Sequence, residues 1–274
     1  MDYKIVFLDI DGTLLNPNHE ITAGTAAIIR RLYHDLKIPV VLATARPYHG
    51  AYFFREQLGL GTPMINFNGA LIVDPDGGHQ VSHQIDHQTI RDVAKAADDH
   101  YLNLALHDHQ ASYAVKRDNW ITLEEGLTKT KAFIGPIDEI FEKWAQRGSH
   151  TANKLMAMGE PANISKLESH LKSNPDIDLT INISHPSYLE ITHPLASKHL
   201  AIQHVHEAFG FDRSEVVAIG DSFNDLEMIK YAGLGVAMGN AHPDVKAIAD
   251  RVTLTNDQEG VRVMLEELFG QSDT

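Results

Sequence analysis

The sequence contains no cysteine, and this absence excludes several classes of site at once. Without thiols the chain has no disulfide, no cysteine nucleophile and no thiolate metal site. No apolar run approaches the length of a membrane span, and the stretch before Asp9 is too short for a signal peptide. We therefore expect a cytoplasmic protein without a membrane partner.

Basic residues are also scarce, because 23 Lys and Arg stand against 37 Asp and Glu, for a formal net charge of −14. The acids are scattered, and no basic stripe is present that could follow a phosphate backbone, so we expect no nucleic-acid partner. The mean field of such a chain also repels small anions. Any phosphate site must therefore be built locally, from a metal ion, a lysine and backbone N–H groups.

The order of apolar segments predicts the fold class. Buried-strand patterns at 5–8, 40–44 and 64–68 alternate with helical patterns, which is typical of a doubly wound parallel sheet in an α/β protein. From residue 85 to 186 the pattern changes to a mixture of strands and helices without acids at strand ends. The sequence thus predicts a discontinuous core of residues 1–84 and 187–274 and an inserted α+β domain of residues 85–186, with the core resuming at a strand formed by 188–191.

Two carboxylates, Asp9 and Asp11, come directly after the first apolar strand and are followed by Gly12. A glycine there lets the chain turn at once, so both acids can lie at the carboxyl end of the strand, where open α/β sheets bind ligands. Two such carboxylates repel each other unless a divalent cation lies between them or one is protonated. The alternative is an ordinary surface turn, because Asp-Gly is a common turn pair.

Further polar groups follow other strands or begin helices. Thr44 ends the second strand, and the last strongly apolar strand runs into a segment that contains Asp221, Asn224 and Asp225. Lys198 lies in the first turn of a helix for which we expect Leu200, Val205 and Phe209 on the apolar face. Because the helix dipole disfavours a cation at that end, Lys198 is expected to have an anionic partner.

These groups have the chemistry of a phosphoryl-transfer site. Carboxylate oxygens of Asp9 and Asp221, with the backbone carbonyl of Asp11, are hard ligands suited to Mg²⁺. Thr44 and Lys198 offer a donor and a positive charge to a tetrahedral dianion. We expect Asp9 to attack phosphorus and Asp11 to act as general acid and then base.

Two neighbouring side chains have supporting roles in this interpretation. We expect Asp225 to orient the metal ligands and the lysine without binding the ion. We expect Asn224 either to help in that task or to contact phosphate directly.

The motifs together resemble the haloacid dehalogenase-like hydrolase superfamily, and within it the Cof-type phosphatases. The matching segments are 9–14, 44–47, 68–70, Lys198, 220–225 and 235–241. The resemblance implies a Rossmann-like core, a type 2 cap as the inserted domain, Mg²⁺ dependence and phosphate contacts from the backbone N–H groups of Ile10 and Ala45. It also implies small phosphorylated metabolites as substrates, such as sugar phosphates, flavin or pyridoxal phosphates, or nucleotides.

The chain departs from the family pattern at two positions, with Ala45 and His199 where glycine is usual. Alanine is small enough for activity to survive, whereas His199 affects the packing around the lysine helix. Asn68 is a further candidate phosphate contact. Arg46 either contacts substrate or pairs with a core acid.

Two other functions remain open from the sequence. A phosphomutase would use the same intermediate, and a non-catalytic phosphoacceptor or metabolite-binding module would use the same site without turnover. Among the 17 histidines, those that recur at short spacings are interpreted as solvated surface groups and not as metal ligands. This interpretation covers the spaced pairs and triplet His79, His83, His87, His107, His109, His204 and His206.

Overall fold

In the computed structural model, which describes residues 2–128, 130–148 and 151–270, strands and helices alternate along most of the chain. The strands are β1 (Ile5–Leu8), β2 (Val40–Ala43), β3 (Met64–Asn66), β4 (Leu71–Val73), β5 (His79–Ser82), β6 (Asn103–His107), β7 (Ser112–Ala114), β8 (Ala132–Ile134), β9 (Lys154–Met158), β10 (Thr180–His185), β11 (Tyr188–Thr192), β12 (Val216–Gly220), β13 (Leu234–Ala237) and β14 (Arg251–Val252). The helices are α1 (Ala23–His34), α2 (Tyr52–Leu58), α3 (His87–Asp99), α4 (Asn119–Thr128), α5 (Ile137–Arg147), α6 (Pro161–Ser173), α7 (Lys198–Ala208), α8 (Leu226–Tyr231), α9 (Pro243–Ile248) and α10 (Gly260–Phe269).

The larger sheet has the strand order β14-β13-β12-β1-β2-β3-β4-β5. Pairing is parallel from β14 through β3, and β4 runs antiparallel to β3. The chain moves outward from β1 through β2 and β3 and later returns to the other side of β1 with β12. This reversal beside β1 is the switch point at which doubly wound sheets bind ligands. The architecture confirms the α/β class expected from the sequence.

Each compact unit is built around one sheet. Unit 1 comprises the described residues within Met1–Ala45, Ala51–Gln80 and Ser197–Thr274, and unit 2 comprises those within Arg46–Gly50 and Val81–Ala196. In unit 1, α1 packs against α2 and α10, while α7 packs against α8 and α8 against α9. Strands β1, β2, β12 and β13 are buried along their whole length, as parallel strands covered on both faces must be.

Unit 2 contains the second sheet, in the order β10-β11-β9-β6-β7-β8, with antiparallel pairs except for β7 beside β8. One face carries a core formed with α3, α5 and α6. The other face packs Ala105, Ala114 and Met156 against Ile121 of α4. Neither α4 nor β8 was expected from the sequence.

The sequence-based boundary at residue 187 is wrong. Strand β11 pairs antiparallel with β9 and β10 in the sheet of unit 2, and unit 1 resumes only at Ser197. Its apolar residues Leu189 and Ile191 belong to the unit 2 core. The segment is therefore a two-faced strand of the inserted domain and not a parallel strand of the core.

The apolar face expected for α7 is also wrong at two positions. Leu200 and Phe209 are exposed, at 40% and 38%. The buried face instead contains Lys198, Ile202 and Val205, which follow the helical spacing of four and three residues. The helix therefore turns its lysine inward.

Two of the histidines assigned to solvated surface are buried. His107 lies in β6, where its Nδ1 is 2.9 Å from the Ser112 hydroxyl, and burial lowers its pKa well below the usual range. His206 lies in α7, where Nδ1 is 2.8 Å from the Phe211 carbonyl and Nε2 is 2.9 Å from the Tyr231 hydroxyl. Both are core histidines with hydrogen-bond partners.

Within the part of the chain that the structure describes, every helix is too short or too polar to cross a bilayer.

Candidate active site

The site is built at the carboxyl end of β1, beside the switch point of the larger sheet. Strand β1 pairs with β12 on one side and β2 on the other, so Asp9 is the first residue beyond a fully buried strand. Its backbone N–H donates to the Ile219 carbonyl (3.0 Å), which prolongs the pairing to the last residue before the turn. The Asp9 carboxylate is consequently held on the rigid sheet, with the residue only 5% exposed.

Lys198 lies between two buried carboxylates. Its Nζ donates to Asp9 Oδ1 at 2.5 Å and to Asp225 Oδ1 at 2.6 Å, and its side chain is 0% exposed. The structure thus supplies the anionic partners that the position of Lys198 at a helix start predicted. Charge-assisted hydrogen bonds of this length in a buried setting are strong and fix the positions of all three groups.

The environment changes the pKa of Asp9 and the pKa of Lys198. Burial raises the pKa of the Asp9 carboxyl well above its usual range, and the neighbouring acids Asp225 and Asp221 raise it further against the opposing effect of Lys198. Burial alone would lower the pKa of the Lys198 ammonium, but Asp225 and Asp9 outweigh this and hold it above its usual value. Lys198 is therefore a permanent cation beside an Asp9 carboxyl that is difficult to ionise.

Asp225 has both carboxylate oxygens occupied by this protein. Oδ1 accepts from Lys198, while Oδ2 accepts from the backbone N–H groups of Asp221 and Ser222, both at 3.0 Å. Gly220 makes room for it, because a Cβ at that position would lie 2.6 Å from the Asp225 side chain. Asp225 thus joins Lys198 to the Asp221 segment, and its supporting role in the reaction stays a prediction.

Asp221 is held by the turn that follows Asp9. Its Oδ1 accepts from the Thr13 hydroxyl at 3.0 Å. Gly12 lies so close that a Cβ there would be 2.4 Å from Asp221 Oδ2, and its φ of +81° is one that glycine adopts without strain. Burial, and then the charge of Asp225, raise the pKa of Asp221 to about 6.

These acids form a set of hard oxygen donors. One oxygen from each of Asp9, Asp221 and Asp225 lies within 4.8 Å of the others. The carboxylate of Asp11 lies outside this set but is near enough for its charge to raise the pKa of Asp221. Since both oxygens of Asp225 accept hydrogen bonds, the donors directed at a cation are those of Asp9 and Asp221. This donor set fits Mg²⁺.

A second group of predicted residues lies on connected turns. Thr44 is 1% exposed at the end of β2, and its backbone carbonyl accepts from the Asn68 backbone N–H at 3.0 Å. Asn68 Oδ1 in turn accepts from Asn224 Nδ2 at 2.9 Å, which fixes both amide orientations. Asn224 directly precedes Asp225, so the chain of contacts runs from Thr44 to the acid that holds Lys198.

The start of α7 is fixed by a close backbone approach. A Cβ at Gly69 would lie 2.3 Å from the Ser197 carbonyl oxygen, and φ there is +98°. The turn that contains Asn68 can therefore pack directly against the residue before Lys198.

The remaining sequence-based candidates have separate surroundings. Ile10 is buried and Ala45 half-buried, and their roles as backbone donors to phosphate stay predictions. Arg46 belongs to unit 2, where Nη1 donates to the Gly50 carbonyl at 3.4 Å. The ring of His199 packs on Tyr231 with centroids 4.5 Å apart, so the histidine at this position lies beside α8 and leaves Lys198 undisturbed.

Sequence reasoning missed Thr13 and Asn240 as parts of the site. Thr13 follows Asp11 by two residues in the same motif, so its proximity to the acids was a usable signal. Asn240 Nδ2 donates to the Gly12 carbonyl at 2.8 Å across more than two hundred residues of sequence, a contact that only the fold reveals.

Comparison with known families agrees with this geometry. The family model of haloacid dehalogenase-like hydrolases matches residues 6–265. The chain therefore belongs to the haloacid dehalogenase-like hydrolases, which confirms the resemblance drawn from the motifs.

Relatives and solved structures add detail. A putative phosphatase of Haemophilus influenzae is 36% identical over 271 residues, covering 98% of this chain and 99% of the relative. A Bacillus subtilis protein named 5-amino-6-(5-phospho-D-ribitylamino)uracil phosphatase is 30% identical, covering 97% of each chain. The structure of a haloacid dehalogenase-like hydrolase from Bacteroides thetaiotaomicron is similar with a TM-score of 0.87 at 29% identity, covering 98% of this chain and 100% of that one. This chain is thus a hydrolase whose relatives are phosphatases.

Proposed function

We propose that this chain is a Mg²⁺-dependent phosphatase that hydrolyses small phosphorylated metabolites through a phosphoryl group carried by Asp9. The observation that supports the proposal most directly is the buried Lys198 ammonium between Asp9 and Asp225, with Asp221 within reach of both acids. With Asp9, Asp221 and Asp225 all ionised, the cluster with its one ammonium would carry two negative charges. Such a cluster is costly to bury unless a cation completes it.

Asp9 and Asp221 are the side chains that would hold Mg²⁺, with the Asp11 carbonyl as a further ligand. When bound, the ion withdraws charge from the phosphoryl oxygens and offsets the repulsion between a phosphate dianion and Asp9. Lys198 contributes a second positive charge from a fixed position, since its two hydrogen bonds leave it little freedom. Preorganised charge of this kind costs no reorganisation during the reaction.

In the first step an oxygen of Asp9 forms a bond to phosphorus while the bond from phosphorus to the ester oxygen breaks. The proton that the departing alkoxide needs comes from the Asp11 carboxyl. In the second step water attacks the same phosphorus, Asp11 takes the proton of that water, and the bond to Asp9 breaks. The products are an alcohol and inorganic phosphate, and both acids return to their starting states.

The proposal also covers substrate and location. The name of the Bacillus subtilis relative supports testing its phosphorylated ribitylaminouracil beside sugar phosphates, flavin and pyridoxal phosphates and nucleotides. We propose that unit 2 determines which leaving groups are accepted. The charge of −14 supports a protein without a nucleic-acid partner, and we propose that the enzyme is cytoplasmic and has no membrane partner.

The proposal is tested by phosphate release from p-nitrophenyl phosphate and a panel of metabolites, with Mg²⁺ or with a chelator. We expect turnover only with Mg²⁺, and a fall of at least roughly 10³-fold in Asp9→Asn because the nucleophile is lost. Asp35→Asn, an exposed acid at the end of α1, is the matched control and should retain wild-type rates.

Three outcomes would contradict the proposal. They are wild-type turnover in Asp9→Asn, turnover that is indifferent to the chelator, and an inert wild-type protein. Formation of an isomerised sugar phosphate in place of inorganic phosphate would instead favour the phosphomutase.

A further inference from the structure

The turn that contains Asp11 has a glycine, Gly12, at its centre. Gly12 cannot be replaced by a larger residue, because of its φ of +81° and the proximity of Asp221. Yet glycine is the residue with the greatest backbone freedom, so the peptide planes on either side of it are the least determined by local sterics. Asp11 directly precedes that flexible position and is exposed. The placement of Asp11 therefore depends on the contacts that fix this turn.

Two asparagines from distant segments supply such a restraint. Asn240 lies on the loop after β13, and its Nδ2 donates to the Gly12 carbonyl at 2.8 Å. Asn256 lies after β14, and its Nδ2 donates to the Leu15 carbonyl at 2.7 Å. The two are joined, because the backbone N–H of Asn256 donates to Asn240 Oδ1 at 3.0 Å. We call Asn240 and Asn256 the asparagine clamp.

The contacts of the clamp are specific to one amide orientation. Asn240 donates from Nδ2 to the Gly12 carbonyl and accepts at Oδ1 from the Asn256 backbone N–H. Neither an acid nor a shorter side chain can make both hydrogen bonds. The loops themselves are held together, since the Gly239 N–H donates to the Leu254 carbonyl at 2.9 Å. The clamp thus connects the middle and the end of the turn that follows Asp9 to the segments after β13 and β14 of the same sheet.

We propose that the asparagine clamp positions Asp11 for proton transfer to the leaving group, acting through the Gly12 carbonyl. The inference rests on the proposed function. Asn240 and Asn256 are positioning residues, because they contact the turn and not the reacting atoms. Asp225 holds the Asp221 backbone independently of the clamp, so loss of the clamp should affect the proton-transfer step more than the metal ligands.

Leaving-group dependence separates this role from a general effect on the site. p-Nitrophenolate departs without protonation, whereas an alkoxide such as that of glycerol 3-phosphate needs the proton of Asp11. The value of kcat/KM covers the reaction only through the first irreversible step, so it isolates cleavage of the ester bond. A misplaced general acid should therefore lower kcat/KM for glycerol 3-phosphate and leave that for p-nitrophenyl phosphate nearly unchanged.

The experiment compares Asn240→Asp, Asn256→Ala and wild type on these two substrates. Asn240→Asp is close to isosteric and keeps the acceptor for Asn256, but it places an oxygen against the Gly12 carbonyl. We expect its kcat/KM to fall roughly tenfold more with glycerol 3-phosphate than with p-nitrophenyl phosphate, a share of what general acid catalysis contributes. Asn18→Asp, which adds the same charge at an exposed position of unit 1, should change neither value.

A double-mutant cycle tests the route through Asp11. In an Asp11→Asn background, Asn240→Asp should cause no further loss with glycerol 3-phosphate, because the group it positions is gone. Equal losses on both substrates, additive losses in the cycle, or unchanged rates in folded variants would overturn the inference while the proposed function stands. A wild-type protein inert towards both substrates would instead overturn the proposed function, and the inference with it.

Discussion

Asp221→Asn is predicted to stabilise the metal-free protein. Burial and the charge of Asp225 raise the pKa of Asp221 from 3.8 to about 6, so its ionised form is disfavoured in the fold. That difference in pKa corresponds to up to about 3 kcal/mol of unfolding free energy at pH 7. The asparagine keeps the acceptor for the Thr13 hydroxyl and removes the charge. The variant should therefore have a higher free energy of unfolding than wild type while losing a metal ligand.

The pH dependence fixes the sign of the effect. An acid whose pKa is higher in the folded state costs no stability below its unfolded pKa of 3.8, and the cost is complete above about 6. The advantage of Asp221→Asn over wild type should consequently grow between those two values and then remain constant. Comparing the two proteins at each pH cancels the titration of groups that do not interact with Asp221.

The assay is urea unfolding of both proteins between pH 4.5 and 7.5 in the presence of a chelator, repeated with saturating Mg²⁺. Asp35→Asn serves as the control for removal of an exposed acid. Bound Mg²⁺ should stabilise wild type by mass action and leave Asp221→Asn unaffected. The reasoning is refuted if the metal-free variant at pH 7 is no more stable than wild type.

Three further predictions concern single residues. Gly12→Ala should lower the rate of phosphate release at least roughly 100-fold, because the added Cβ displaces Asp221. Gly77→Ala is the control, because Gly77 has a similar φ but no neighbouring atoms near the added Cβ, and it should not lower this rate. Lys198→Met should lower the unfolding free energy in urea by about 3–5 kcal/mol, because it leaves two buried carboxylates face to face. The pKa of Glu125 is lowered to about 2 by hydrogen bonds from Arg117, Lys131 and the Ala132 N–H. The melting temperature of wild type should therefore fall as the pH is lowered from 4.5 towards 2, and that of Glu125→Gln should fall less over the same range. An identical pH profile in Glu125→Gln would contradict the last of these.

The catalytic turn was predictable from sequence because its signals are local. An apolar strand, two acids and a glycine within a few residues define both the strand end and the turn, and β1 and Asp9 lie as expected. The unfavourable position of Lys198 at a helix start indicated an anionic partner, but not that its side chain points inward. Its partners could then be named only by residue type, since the pairing depends on how α7 packs against β3, α8 and the turns at 67–69 and 223–225.

Features that depend on distant contacts escaped prediction. Strand β11 has alternating apolar residues, and only its pairing with β9 places it in unit 2. The face of α7 was misassigned because hydropathy counts Lys198 as polar, whereas its ion pairs with Asp9 and Asp225 allow it to be buried. His206 is buried because Phe211 and Tyr231 satisfy both ring nitrogens, which periodicity does not reveal.

The central claim is that Asp9 carries the phosphoryl group during turnover. It is tested most directly by acid-quenching wild type during turnover of a ³²P-labelled phosphomonoester with Mg²⁺, followed by peptide mapping. The account predicts label on the peptide that contains Asp9, lost in Asp9→Asn. Label on another residue, or its absence during demonstrable turnover, would contradict it.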